Sequence, residues 1–184
     1  SAKKKWYLPK RSQILVYDST GIEPLWPYIK NYHPEILNIN GGKKEIYILL
    51  ATLSLFKKGN ILERYGYEFI KIVKPKVVIS HIDNNINFWL ISQKHPFVKT
   101  IVIQNGIRAD DDPFVARLLV ENVITTKLQV DYMFAFGKNI PLEYKKHVKA
   151  EFIPIGGLKN NAIPKGYDYE EGSIIFISQY RGSG

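Results

Sequence analysis

The chain has 184 residues, 45% of them hydrophobic and 23% charged, with a formal net charge of +9 and no cysteine. That is about one domain, long enough to bury a real core and too apolar for a disordered chain. The missing thiols exclude disulfide scaffolds, thiolate metal sites, Fe–S clusters and cysteine nucleophiles.

In chain order, residues 1–13 read as an N-terminal extension or tag remnant. Ile14–Tyr17 reads as a strand ending at Asp18, and Ser19 or Thr20 can cap a short helix over Glu23–Lys30. Glu35–Ile39 reads as a second strand. The apolar run Ile46–Phe56 has the length of a buried helix. Ile61, Leu62, Tyr65, Phe69, Ile72 and Val73 follow the rhythm of an amphipathic helix that Pro75 ends. Val77–Ser80 is β-branched and reads as a strand buried on both faces. Asn84 or Asn85 can cap a helix through about Gln93. Thr100–Ile103 is another strand, and Asp112-Pro113 opens a helix through about Thr125. Tyr132–Phe136 reads as a strand, Leu142–Val148 as a short helix and Glu151–Ile155 as a last strand. Trp26 and Trp89, on helices, read as core. The polar stretch Lys165–Gly172 reads as a linker, and Ser173–Ser178 as the first strand of a truncated second domain. The expected fold is therefore α/β: a Rossmann-like, open, mostly parallel sheet with helices on both faces.

In such sheets ligands bind beyond the carboxyl ends of the strands. Three turns there carry polar clusters. The first is His81-Ile82-Asp83-Asn84-Asn85, where Asp83 is the candidate base or sugar ligand and His81, Asn84 and Asn85 are candidate contacts. Capping the next helix is an equal account of Asp83 and Asn84. The second is Gln104-Asn105-Gly106-Ile107-Arg108. Asn105-Gly106 suits a tight turn with positive φ, and the planar fork of Arg108 suits a carboxylate or phosphate. The third holds Gly156, Gly157, Lys159 and Asn160, with glycines for close backbone approach and a lysine for point charge. It is neither a P-loop nor a dinucleotide fingerprint, and a loop joining two domains explains it as well.

No metal is expected. The four histidines are scattered, and Asp110-Asp111-Asp112 reads as a helix cap and first-turn charge rather than a cation site. No apolar run reaches the ~20 residues of a membrane-spanning helix, and the N-terminus has no signal-peptide core. The reading is a cytoplasmic protein. Of 26 basic residues 21 are lysine, spread in ones and twos apart from Lys3–Lys5. A nucleic-acid partner is not expected. The same surface suits an anionic sugar nucleotide or glycan, and it leaves peripheral association with the inner membrane open.

An ordered set of segments carries a family resemblance. It comprises Ile14–Asp18 with Gly21, Lys74–Ile79 leading to Asp83-Asn84-Asn85 and Phe88, and Ile103–Arg108. It continues with Val130–Phe134, Gly156–Asn161 and Phe176–Arg181. This set resembles the bacterial surface carbohydrate biosynthesis proteins, glycosyltransferases of the GT-B type that build capsule and lipopolysaccharide. The resemblance implies that residues 14–164 are a Rossmann-like acceptor-side domain and 165–184 a linker and first strand of a donor domain. It implies transfer of a sugar from a nucleotide-sugar donor, which could be CMP-linked, to a glycan or lipid-linked glycan acceptor, with no cofactor beyond that donor. Some related transferases carry an acidic residue in the turn matching Gln104-Asn105-Gly106. Here that turn has amides only, which leaves Asp83, or a group in the other half, as the reactive carboxylate. The most that composition and spacing support alone is a ligand-binding α/β domain. Two rivals stay open: a transferase of CDP-linked glycerophosphate type, and a non-enzymatic binding module for an anionic ligand.

Overall fold

The computed structural model describes residues 3–38, 45–55, 60–106, 128–139, 145 and 148–160. The strands are β1 (Lys3–Lys5), β2 (Ile14–Tyr17), β3 (Glu35–Leu37), β4 (Glu45–Tyr47), β5 (Val77–Ser80), β6 (Lys99–Ile103), β7 (Leu128–Ala135) and β8 (Val148–Pro154). The helices are α1 (Trp26–Ile29), continued by a 3₁₀ turn over Lys30–Tyr32, then α2 (Ile48–Leu55), α3 (Ile61–Val73), α4 (Ile86–Trp89) and α5 (Ile91–Lys94). Six strands form one parallel sheet in the order β3-β2-β5-β6-β7-β8, and β1 pairs with β4 in a separate parallel ribbon.

The sheet divides the core by alternation along its strands. Leu15, Tyr17, Val78, Val102 and Met133 point to one face and pack with Tyr65, Phe69, Ile70 and Val73 of α3 and with Phe88, Trp89 and Ile91 of α4 and α5. Val16, Ile79 and Ile103 point to the other, against Ile22, Leu25 and Ile29 around α1. The chain thus winds one way from β2 to β3 over one face, then back past β2 to β5 over the other, as right-handed crossovers require. The reversal falls between β2 and β5, and the switch point of a doubly wound sheet is where ligands are received.

α3 forms where its pattern places it. The Asn60 side chain accepts from the Leu62 and Glu63 amides at 2.9 and 3.4 Å, Glu63 sits in the first turn, and Lys74 ends the helix with φ 52°. The helix packs directly on the sheet at Gly66, where a Cβ would meet Leu37 and Tyr17 at the ordinary contact distances of 3.8 and 4.0 Å.

Elsewhere the elements differ from expectation. Ile46–Phe56 is not one buried helix. Its first residues join β4, because Lys3–Lys5 offer a strand partner, in register Lys3↔Glu45 to Lys5↔Tyr47. The remainder is α2, with Leu49, Leu53 and Leu55 exposed. Within the N-terminal extension, residues 3–5 are thus paired with β4. The helix after Asn85 breaks at Leu90 into α4 and α5. Val148 begins β8 instead of ending a helix. β7 starts four residues earlier than its apolar core suggests. Trp89 is fully buried, but Trp26 is exposed. The expected helix after Asp112 and the strand at Ser173–Ser178 lie outside the described residues.

Candidate functional site

Beyond the carboxyl ends of β5 to β8 lies a cavity of about 410 Å³, within the range of small-molecule sites. It is lined by His81, Gln104, Asn105, Phe136, Gly157, Leu158, Lys159 and Asn160. The parallel sheet is what gathers them. Each follows a strand whose polar turn must exit at the same edge, so residues 81, 104, 136 and 157 become neighbours without being near in sequence.

His81 is nearly buried and lines the cavity. Burial, then the charge of Lys159, lowers its pKa below the ordinary imidazole value, against a smaller opposing pull from Asp83 and Glu23. The ring is therefore neutral at pH 7 and able to accept a proton. Gly21 leans on it from the β2 turn: φ is +68°, and a Cβ there would be 3.2 Å from His81 Nδ1.

Asp83 is placed differently. Its side chain is fully buried and outside the cavity lining, and its main-chain carbonyl accepts from the Trp89 indole at 2.9 Å. Asn84 is exposed, and Asn85 caps α4 by accepting from the Asn87 amide at 3.1 Å. Gln104 reaches the cavity but uses both ends of its amide internally. Its nitrogen donates to the Gly106 carbonyl and its oxygen accepts from the Phe136 amide, each at 2.9 Å, so it ties the turns after β6 and β7 together. Asn105 lines the cavity, and Gly106 lies in the same turn without positive φ. Positive φ falls instead on Gly156, at 76°. Gly157 packs on Asn160, whose amide donates back to the Gly157 carbonyl at 2.9 Å and closes the turn that presents Lys159. Arg108 lies outside the described residues. Among those described, no group of three or more acidic or histidine side chains could hold a metal, and no helix is long and apolar enough to cross a membrane.

Two lining residues, Phe136 and Leu158, were not read from sequence as site residues. They supply the apolar wall. Phe136 was findable, since it is the first residue beyond β7 on the edge that binds ligands. Asp18, the first residue beyond β2, lies on the same edge of the sheet but outside the cavity lining. It is buried at φ 73°. Its Oδ1 accepts from the Thr20 amide and hydroxyl at 2.9 and 2.7 Å, while its Oδ2 is buried without a hydrogen-bond partner. The neighbouring Ser19 is held by Asn38 Oδ1 through both its amide and hydroxyl, at 3.1 and 2.7 Å. Backbone strain that the surroundings over-determine is characteristic of functional edges.

No curated protein and no solved structure matches this chain. Residues 101–183, less than half of it, match the model of a family described as "putative O-antigen biosynthesis protein", a match consistent with surface carbohydrate biosynthesis.

Proposed function

We propose that this chain is the acceptor-side domain of a two-domain glycosyltransferase that moves a sugar from a nucleotide-sugar donor to a surface-glycan hydroxyl held in the cavity. One observation carries the reading. Of the eight lining residues, seven come from the segment that matches the O-antigen family, and the eighth is a histidine free to take a proton. The acceptor oxygen attacks the anomeric carbon, the bond from that carbon to the donor phosphate breaks, and the phosphate keeps the electron pair. The hydroxyl proton passes to a ring nitrogen of His81. Asp83 stabilises the imidazolium from behind, a different part from the base or sugar ligand that the sequence suggests. Lys159 faces the negative charge of donor or acceptor. Asn105 and Asn160 orient hydroxyls, and Phe136 and Leu158 give a sugar ring an apolar wall.

The test is nucleotide release by the native-length protein against UDP-, GDP-, CMP- and CDP-linked donors, beside its His81→Gln variant. Release from one nucleotide sugar, lost in the variant, is the expected result. Release only from a CDP-linked glycerol-type donor would move the reading to a phosphoalditol transferase. Silence with every donor would overturn sugar transfer in favour of a binding module.

A further inference from the structure

We infer that the end of the molecule formed by Trp6–Leu8 and α2 is a docking surface for an anionic lipid bilayer. The argument begins with strand direction. β1 and β4 run parallel, with Lys5 opposite Tyr47, so both leave their ribbon at the same end. The continuation of β1 is Trp6-Tyr7-Leu8, and the continuation of β4 is the first turn of α2. Two apolar segments distant in sequence are thereby set side by side. The Tyr7 ring meets the Tyr47 ring edge-on at 5.7 Å, and buried Pro9 anchors the segment to the domain.

What they present is unusual for a water-facing surface. Trp6 is 71% exposed, Tyr7 59%, Leu49 49% and Leu53 52%, and Leu8 and Leu55 are exposed beside them. Leu49 and Leu53 are one turn apart and share a face of α2. Clustered exposed apolar side chains mark an interaction site, whereas scattered ones do not.

Charge selects the partner. Lys3, Lys4, Lys10 and Arg11 flank the aromatic segment and are exposed. The nearby carboxylates are engaged: Glu45 with Lys5 at 2.6 Å, and Glu35 with the Tyr47 hydroxyl at 2.7 Å. Trp and Tyr beside Lys and Arg, next to an apolar helix face, is the composition that settles at an anionic headgroup boundary. A second copy fits worse. A symmetric dimer through this patch would set the same cations against each other, and lysine is depleted from protein interfaces.

This inference does not depend on the reading of the cavity, and its test uses no enzymatic readout. The protein is sedimented with vesicles of phosphatidylcholine alone and of phosphatidylcholine mixed with phosphatidylglycerol. It is expected to pellet with the mixed vesicles only, less so as salt rises. The triple variant Trp6→Ser, Leu49→Gln, Leu53→Gln should weaken partitioning roughly a hundredfold, because each exposed side chain contributes about half its transfer free energy. Neutralising Lys4, Lys10 and Arg11 to Gln should weaken it by about fivefold per charge. All these positions are exposed, and an unchanged melting curve will show that the variants fold. Failure to pellet with anionic vesicles, or equal pelleting of wild type and both variants, would overturn the inference. So would a concentration-dependent dimer that the Leu49/Leu53 changes abolish without any effect of lipid.

Discussion

Two aspartates on the same sheet are treated in opposite ways. Asp131, in the middle of β7 and beside the start of β6, is saturated. Its Oδ2 accepts from the Thr100 amide and hydroxyl at 2.9 and 3.0 Å, its Oδ1 accepts from Lys99 at 2.7 Å, and its own amide donates to Thr100 Oγ at 3.0 Å. Asp18, at the carboxyl end of β2, keeps one oxygen buried and unpaired in a strained backbone. A buried polar group without a partner is costly, and one that persists calls for an explanation. The nearest comparison at the amino edge, the unpartnered His95 Nε2, belongs to a ring packed against Tyr67 and Phe97, with burial and then Lys71 lowering its pKa. That is a neutral filler, not a carboxylate. The contrast teaches that Asp131 is spent on holding two strands together, whereas Asp18 leaves one oxygen unmet at the carboxyl edge; the other buried unpartnered atoms among the described residues, His95 Nε2 and Arg64 Nε, lie away from the cavity lining.

The largest effect that could break this division is at His81. His81→Gln should lower kcat by about 10²–10⁴ and change stability by less than about 1 kcal/mol. In the wild type, kcat/KM should rise with pH through a midpoint below the ordinary imidazole value of 6.5, as the lowered pKa requires. Stability carries the matching sign: the unfolded histidine protonates first, so stability falls as pH drops below 6.5, and the variant should lack that slope. Equal pH slopes in the two proteins would deny His81 its buried, neutral state.

Asp131→Ala should do the reverse. It should leave turnover unchanged and lower stability by about 2 kcal/mol, roughly 4–8 °C in Tm. Burial pushes the Asp131 pKa up, but the hydrogen bonds from Lys99 and Thr100 outweigh it and hold it below 3.8. Its contribution is therefore present above about pH 4 and lost as pH falls through the native value. A denaturant titration at pH 3 and pH 7 reads this directly: the gap between wild type and variant should shrink at the lower pH.

How much of this was legible follows the range of each interaction. α3 and β5 could be bounded to the residue because their signals are local: a cap, an apolar period, a proline, a β-branched run. β4 could not, because what makes Glu45–Tyr47 a strand is Lys3–Lys5, some forty residues away, and local periodicity does not contain that partner. The same split governs the site. That polar turns after parallel strands would converge was readable from strand order alone, and His81, Gln104, Asn105, Gly157, Lys159 and Asn160 do line one cavity. Which side chain of a turn faces the cavity was not readable. His81 and Asp83 are two residues apart and both buried, and only tertiary packing puts the imidazole in the cavity wall and the carboxylate outside it. Gln104 likewise reads as a sugar ligand until its two bonds to neighbouring turns are seen.

The smaller predictions sharpen the β2 side of the comparison. Gly21→Ala forces a side chain into φ +68° and to 3.2 Å from His81 Nδ1. It should cost about 1–2 kcal/mol and lower turnover as well, because the ring must shift. A loss of stability with full activity would show that the β2 turn does not position His81. Asp18→Asn is subtler. Asparagine tolerates positive φ and keeps an oxygen for Thr20, while an amide replaces the unpaired oxygen. Stability should hold or rise by up to about 1 kcal/mol, and the KM for the acceptor should rise if that oxygen receives a ligand hydroxyl. A fall in Tm as large as that of Asp131→Ala would mean that Asp18 is as saturated as Asp131, and the contrast between the two aspartates would then be lost.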